Sequence, residues 1–272
     1  MGMDKFYRNS IILTISNLFT GIIGFIFSII LSRKLGTEGL GLYGLISPVY
    51  GLLLCLVSEG LVTAVSKIST VYFSRRDHLN LNRTVTTAIY FILFWSITVA
   101  VIFFISSSFT GSNIIKDTRS LYALKVICPA LVFVALSAIL KGYFYGIGQF
   151  KVAAVIDISE KILRVTALLG IVGFLPSHDT KSTVTAAYSA LTIGEFTSFI
   201  LLYTAYRIYS SKYTALSSKP ESRPQLLFNI LAISLPLCLN GFLSSILTTA
   251  STLLLPRRLM YTGIPYESAL SM

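Results

Sequence analysis

Four ionisable residues stand together in the apolar stretch 153–175: Asp157, Glu160, Lys161 and Arg164. Their offsets are i, i+3, i+4 and i+7, so a 3.6-residue helix presents all four on one face. Asp157 precedes Lys161 by four residues and Glu160 precedes Arg164 by four, the acid-first order that suits ion pairs along a helix. The flanks and opposite face hold Val155, Ile158, Ile162, Val165 and Leu169. An ionised group at a bilayer centre costs about 2.5–3.5 kcal/mol even on the mild insertion scale. A stripe of four therefore faces other helices or a water-filled cavity, where it can hold a charged ligand or move a proton or cation. Two further carboxylates lie inside apolar runs and join the set: Glu195, near the middle of 184–206, and Glu59, about two-thirds along 43–66.

Catalysis has little support in the pattern. No GxSxG, HExxH or P-loop motif occurs, so neither an enzyme nor a cofactor is expected. His78 and His178 fall in loops predicted on opposite sides of a membrane, which rules out a shared metal site. Cys55, Cys128 and Cys238 all sit in apolar runs without CxxC spacing. They read as small buried hydrophobes.

The elements that must position these charges follow from composition. Of the 272 residues, 54% are hydrophobic and only 12% charged, with a mean hydropathy of +0.77. Several continuous apolar runs near 20 residues mark an all-α polytopic membrane protein; strand-like alternation is absent, which disfavours a β-barrel. The net charge of +11 suits cytoplasmic loops and anionic lipid heads, not nucleic acid. The N-terminal run 11–31 is too long for a signal peptide and ends in Arg33-Lys34 without a cleavage site, so it is predicted to stay as the first span.

Seven helices are expected, at about 10–32, 43–66, 85–106, 121–145, 153–175, 184–206 and 226–255. Pro129 and Pro236 fall inside the fourth and seventh, where each removes an intrahelical hydrogen bond. The N-terminus and the loops on its side carry twelve Lys and Arg against six on the other side, which predicts a cytoplasmic N-terminus. Arg33, Arg257 and Arg258 go against that rule, so an anionic ligand is a candidate reason for them. Leu31-Ser32-Arg33-Lys34-Leu35 is echoed by Leu255-Pro256-Arg257-Arg258-Leu259. Helix 7 is thus expected to open a second lobe. The expected organisation is a six-helix N-terminal lobe over 1–206, a basic cytoplasmic linker over 207–224, and at 225–272 the start of a C-terminal lobe that is largely missing from this chain.

Several segments resemble polysaccharide and lipid-linked sugar flippases of the multidrug/oligosaccharidyl-lipid/polysaccharide exporter (MOP) superfamily, which includes the MATE transporters. Arg33-Lys34-Leu35-Gly36-Thr37-Glu38-Gly39-Leu40-Gly41-Leu42-Tyr43 is similar to its RxLGxxGxGxY stretch. Lys141-Gly142-Tyr143-Phe144-Tyr145-Gly146 resembles its RGYFQG turn, with Lys for Arg and Tyr for Gln. Ser159-Glu160-Lys161-Ile162-Leu163-Arg164 resembles its SExxxR pattern, and Pro256-Arg257-Arg258-Leu259 resembles the end of helix 7 in its spore-cortex branch. The resemblance implies the first half of a two-lobed transporter in the cell membrane. Its cargo would be an undecaprenyl-linked glycan or peptidoglycan precursor, moved between leaflets by alternating access without ATP. Arg33, Arg164, Arg257 and Arg258 would then offset the cargo's charge. Glu59, Glu160 and Glu195 would pair those cations or bind a coupling proton or sodium ion. The alternatives are a MATE-type cation or drug antiporter, and a non-transporting scaffold that binds cell-wall synthesis enzymes.

Overall fold

The structure is a computed structural model that describes residues 2–174, 179–212 and 219–261. Helix follows helix, and no strand occurs among the described residues. The first helix, α1, spans Gly2–Ser58 and is kinked at Gly36, where φ 66° and ψ −176° separate an arm over 2–35 from an arm over 37–58. Gly36 has the positive φ that side-chain-bearing residues avoid, and this divides one continuous trace into two crossings. Next come α2 (Leu61–Ser74), α3 (His78–Phe109), α4 (Leu121–Gly146) and α5 (Phe150–Phe174). The chain closes with α6 (Thr180–Ser211) and α7 (Arg223–Tyr261).

Among the described residues, five segments are long and apolar enough to cross a membrane: Asn9–Ser74, His78–Ile115, Thr118–Gly146, Thr180–Ser211 and Arg223–Thr252. The first, 66 residues long, holds both arms of α1 and all of α2. α5, at 25 residues, has the length to cross; it carries five charged residues, Lys151, Asp157, Glu160, Lys161 and Arg164, and is not in that set.

The single helix expected over 43–66 does not form. It breaks at Glu59-Gly60, with Gly60 at φ 74°, and resumes as α2. Leu237 Cβ would lie 2.8 Å from a Cβ on Gly60, so α7 lies directly against the break. Such a break leaves the last carbonyls of α1 without helical partners, and a membrane interior supplies no water to replace them. Side chains fill the gap. Trp95 Nε1 of α3 donates to the Leu56 carbonyl at 2.9 Å, and Cys238 Sγ of α7 to the Cys55 carbonyl at 3.1 Å.

α4 runs through the middle of the molecule, packed on α2, α3 and α6. It is mostly apolar, as suits a helix packed on several neighbours; Leu124, Ile127, Leu131, Ile139, Leu140, Tyr143 and Phe144 are fully buried. Gly142 and Gly146 bring α4 against α2 so closely that a Cβ on Gly142 would meet Val62 O at 2.8 Å and Val65 Cβ at 2.9 Å. Small residues four apart permit this kind of close crossing. The aromatic residues around the end of α4 pair with one another and with α6. Tyr143 stands edge-on to Tyr206, Phe144 edge-on to Tyr209, and Tyr145 stacks on Phe150.

Candidate functional site

α5 turns its charged face inward. Glu160 is only 4% exposed, and it fits because α6 offers Gly194 opposite, where a Cβ would come within 2.9 Å of Glu160 Oε1. Arg164 reaches both neighbouring acids: its Nη2 is 2.8 Å from Glu160 Oε1 and 3.0 Å from Glu195 Oε1 of α6. Lys161 Nζ is 2.7 Å from Glu160 Oε2. The i,i+4 pair Glu160–Arg164 thus forms as its spacing predicts. The expected pair Asp157–Lys161 does not: Asp157 is held by Lys141 of α4 at 2.6 Å. Asp157 lies where α5 meets α4, and a cross-helix lysine there displaces the partner one turn along. Lys141 was legible only as one letter of a motif. Its polar side chain inside an otherwise apolar helix is the signal that could have exposed it.

Three charged residues of this group open onto space. A cleft of about 370 Å³ lies between the α1–α2 break, α4 and α6, lined by Ser58, Glu59, Thr63, Ser137, Lys141 and Glu195 among others. Glu59 closes one side; its carboxyl lies against α7, where a Cβ on Gly241 would be 2.9 Å from Glu59 Cδ. Ser137 Oγ and Arg164 Nε are buried without a hydrogen-bond partner, and Glu160 Oε1 has only its ion-pair contact to Arg164. Tyr43 stacks on Tyr188 at 4.8 Å between ring centroids, and the Tyr188 hydroxyl donates to the Tyr43 carbonyl. The second arm of α1 is thereby fixed to α6 beside the ion pairs.

Of the expected site residues, Asp157, Glu160, Lys161, Arg164 and Glu195 gather between the helices, while Glu59 is exposed at the edge of the cleft. Arg33 does not join them: it is exposed at the end of the first arm and is not among the residues lining the cleft. The kink at Gly36 turns the chain back just after it, so its side chain stays outside the bundle. The side chains of Arg257 and Arg258 lie outside the described residues. No group of His, Cys, Asp and Glu able to hold a metal occurs among the described residues. The arrangement holds opposite charges between the helices beside a hollow, the setting in which intramembrane ionisable residues serve substrate or ion pathways.

Apolar spans, a broken helix and a buried ion-pair group together define a multi-pass membrane protein built like a transporter lobe. The chain belongs to the polysaccharide biosynthesis protein family, whose profile matches residues 6–261. It is 22% identical to stage V sporulation protein B of Bacillus subtilis (strain 168), over 99% of this chain and 52% of that protein. It is 25% identical to the lipid II flippase MurJ of the same organism, over 81% of this chain and 42% of that one. The fold matches an outward-facing MATE family transporter of the MOP superfamily with a TM-score of 0.72 at 17% identity, covering 88% of this chain and 54% of that one. The chain spans about half the length of the curated relatives it matches. None of these names describes an enzyme.

Proposed function

We propose that this chain forms the first lobe of a flippase for an undecaprenyl-linked glycan or peptidoglycan precursor. In this reading residues 1–206 are the N-terminal lobe, 207–224 a cytoplasmic linker and 225–272 the opening of the partner lobe, with the N-terminus in the cytoplasm. The observation that carries the proposal is Arg164, half-buried between Glu160 and Glu195 with its Nε unpartnered, in a group that opens onto the cleft through Glu195. When the cleft is empty the acids neutralise the guanidinium. An arriving phosphate can take the free N–H and compete for the rest, since planar guanidinium groups suit phosphate oxygens. A proton or sodium ion would then occupy the released carboxylates, and that exchange would couple transport to an ion gradient.

The test is outer-leaflet exposure of the lipid-linked precursor in cells whose own flippase is depleted and which express this protein. Wild-type protein should restore exposure. Arg164→Ala and Glu195→Gln should lower it at least about tenfold at equal abundance, the cost of losing one charge-assisted hydrogen bond. Normal exposure in both variants would overturn the site, and no restoration by the wild type would overturn the function.

A further inference from the structure

Where α4 and α6 begin and α5 ends, a groove of about 430 Å³ opens. Its walls include Tyr122 of α4, Ile171 of α5, and Asp179, Lys181, Thr185 and Ser189 at the start of α6. None of its lining residues lines the cleft at the α1–α2 break. Further along α6 the same face carries Ile193, Phe196 and Ile200, all exposed, and Phe133 of α4 meets Phe196 edge-on at 5.0 Å between ring centroids. The wall is therefore polar at the end of the bundle and apolar towards the middle of the span. That profile matches the head and chains of a lipid lying along the helix.

Charge sets the kind of head the groove accepts. Lys181 holds its ammonium over the Tyr122 ring, 4.1 Å from the centroid, which fixes the cation and leaves its outer N–H groups to donate. Asp179 makes no side-chain cap on α6. Neither residue has an ion-pair partner among the described residues, and they do not pair with each other. A lysine beside an aromatic ring is the ordinary anchor of a helix at a membrane boundary; the carboxylate two residues away is not part of that pattern. A ligand with one negative charge would satisfy Lys181 and oppose Asp179. A ligand with a phosphate and an ammonium satisfies both: the phosphate meets Lys181 near the positive end of the α6 dipole, and the ammonium donates to Asp179.

We propose that this groove seats a zwitterionic phospholipid with a primary ammonium head, the head between Asp179 and Lys181 and a chain along Ile193, Phe196 and Ile200. The site lies apart from the cargo cleft and rests on the membrane-spanning fold, not on the flippase reading.

Native mass spectrometry of the delipidated chain reads the occupancy. Phosphatidylethanolamine and phosphatidylglycerol with the same acyl chains are titrated in parallel. Phosphatidylethanolamine should fill the first bound position at about one-third or less of the phosphatidylglycerol concentration, the ratio one solvent-exposed ion pair supplies. Asp179→Asn should abolish that preference and Asp179→Lys should reverse it, while Lys181→Gln should weaken both lipids at least about twofold. The Asp179 carboxylate holds no other part of the chain, so its variants should remain monodisperse, which size-exclusion chromatography checks. Equal binding of the two lipids by the wild type would show annular lipid only and overturn the proposal. A preference that survives Asp179→Asn would place the lipid elsewhere and overturn it too. The cellular exposure assay tests the flippase reading separately, so either can fail alone.

Discussion

At the scale of single residues, the arrangement turns on Gly194. A carboxylate can be buried at low cost only if its partners hold it at short range, and removing that fit leaves a charge in a dry place. Gly194 is the space into which Glu160 fits. Gly194→Ala should push the carboxylate off Arg164 and lower thermal stability by about 1–3 kcal/mol, the usual range for overpacking. The control is Gly170→Ala on α5, where a Cβ would meet nothing within 4 Å; it should fall within about 0.5 kcal/mol of wild type. Unfolding followed by intrinsic fluorescence in detergent separates the two, and equal effects would remove the glycine from this role. The sequence showed which face of α5 carries charge, because helical periodicity is local. It did not show that Asp157 leaves Lys161 for Lys141, because that choice depends on a helix 16 residues upstream in α4.

At the scale of elements, the informative feature is the interruption between α1 and α2. The apolar run 42–66 holds Gly44, Pro48, Gly51 and Gly60, nothing in it singles out Gly60 as the break, and apolar runs read equally well as whole or broken helices. What makes the break tolerable is distant in sequence: Trp95 and Cys238 donate to the freed carbonyls from α3 and α7. Trp95→Phe keeps most of the apolar contact and removes the donor. It should cost about 1 kcal/mol, the net worth of one hydrogen bond, and should speed hydrogen exchange at the first amides of α2. Unchanged exchange there would mean that the indole does not support the break. The α2–α4 crossing gives a second expectation at this scale. Gly142→Ala meets backbone and Cβ atoms of α2 that cannot rotate aside, so it should destabilise by more than about 2 kcal/mol. An extractable, normally melting Gly142→Ala protein would contradict the packing described here. The repeated glycines of Lys141–Gly146 were visible in the sequence; which helix they admitted was not.

At the scale of the whole molecule, polar ties join distant segments at both ends of the bundle. At one end the α6–α7 linker is tied down: Glu221 Oε2 accepts from the Tyr72 hydroxyl at 2.7 Å, and Asn80 Oδ1 accepts from the Glu221 amide at 2.9 Å. At the other, Arg119 bridges Glu38, just past the α1 kink, and Asp117 ahead of α4, while Thr180 at the start of α6 donates to Glu38 at 3.3 Å. Three connections therefore depend on one guanidinium, a grouping invisible in a sequence that spreads it over 142 positions. Burial alone would raise the Asp117 carboxyl, but hydrogen bonds from the Arg119 side chain and amide outweigh it and hold the group below its ordinary value of 3.8. A carboxyl depressed in the folded state adds stability that is fully present above the unfolded value and disappears as pH falls through the folded one. Melting temperature should therefore hold from neutral pH to about pH 5 and then decline towards about pH 3. Asp117→Asn should be less stable at neutral pH, by about 1 kcal/mol or less, because its partner Arg119 is about a third exposed and the pair is screened from that side. Because the variant has already lost the charge, its curve should decline less steeply below pH 4 than the wild type's. Parallel curves would show that the acid sensitivity arises elsewhere and that Asp117 adds nothing to this tie.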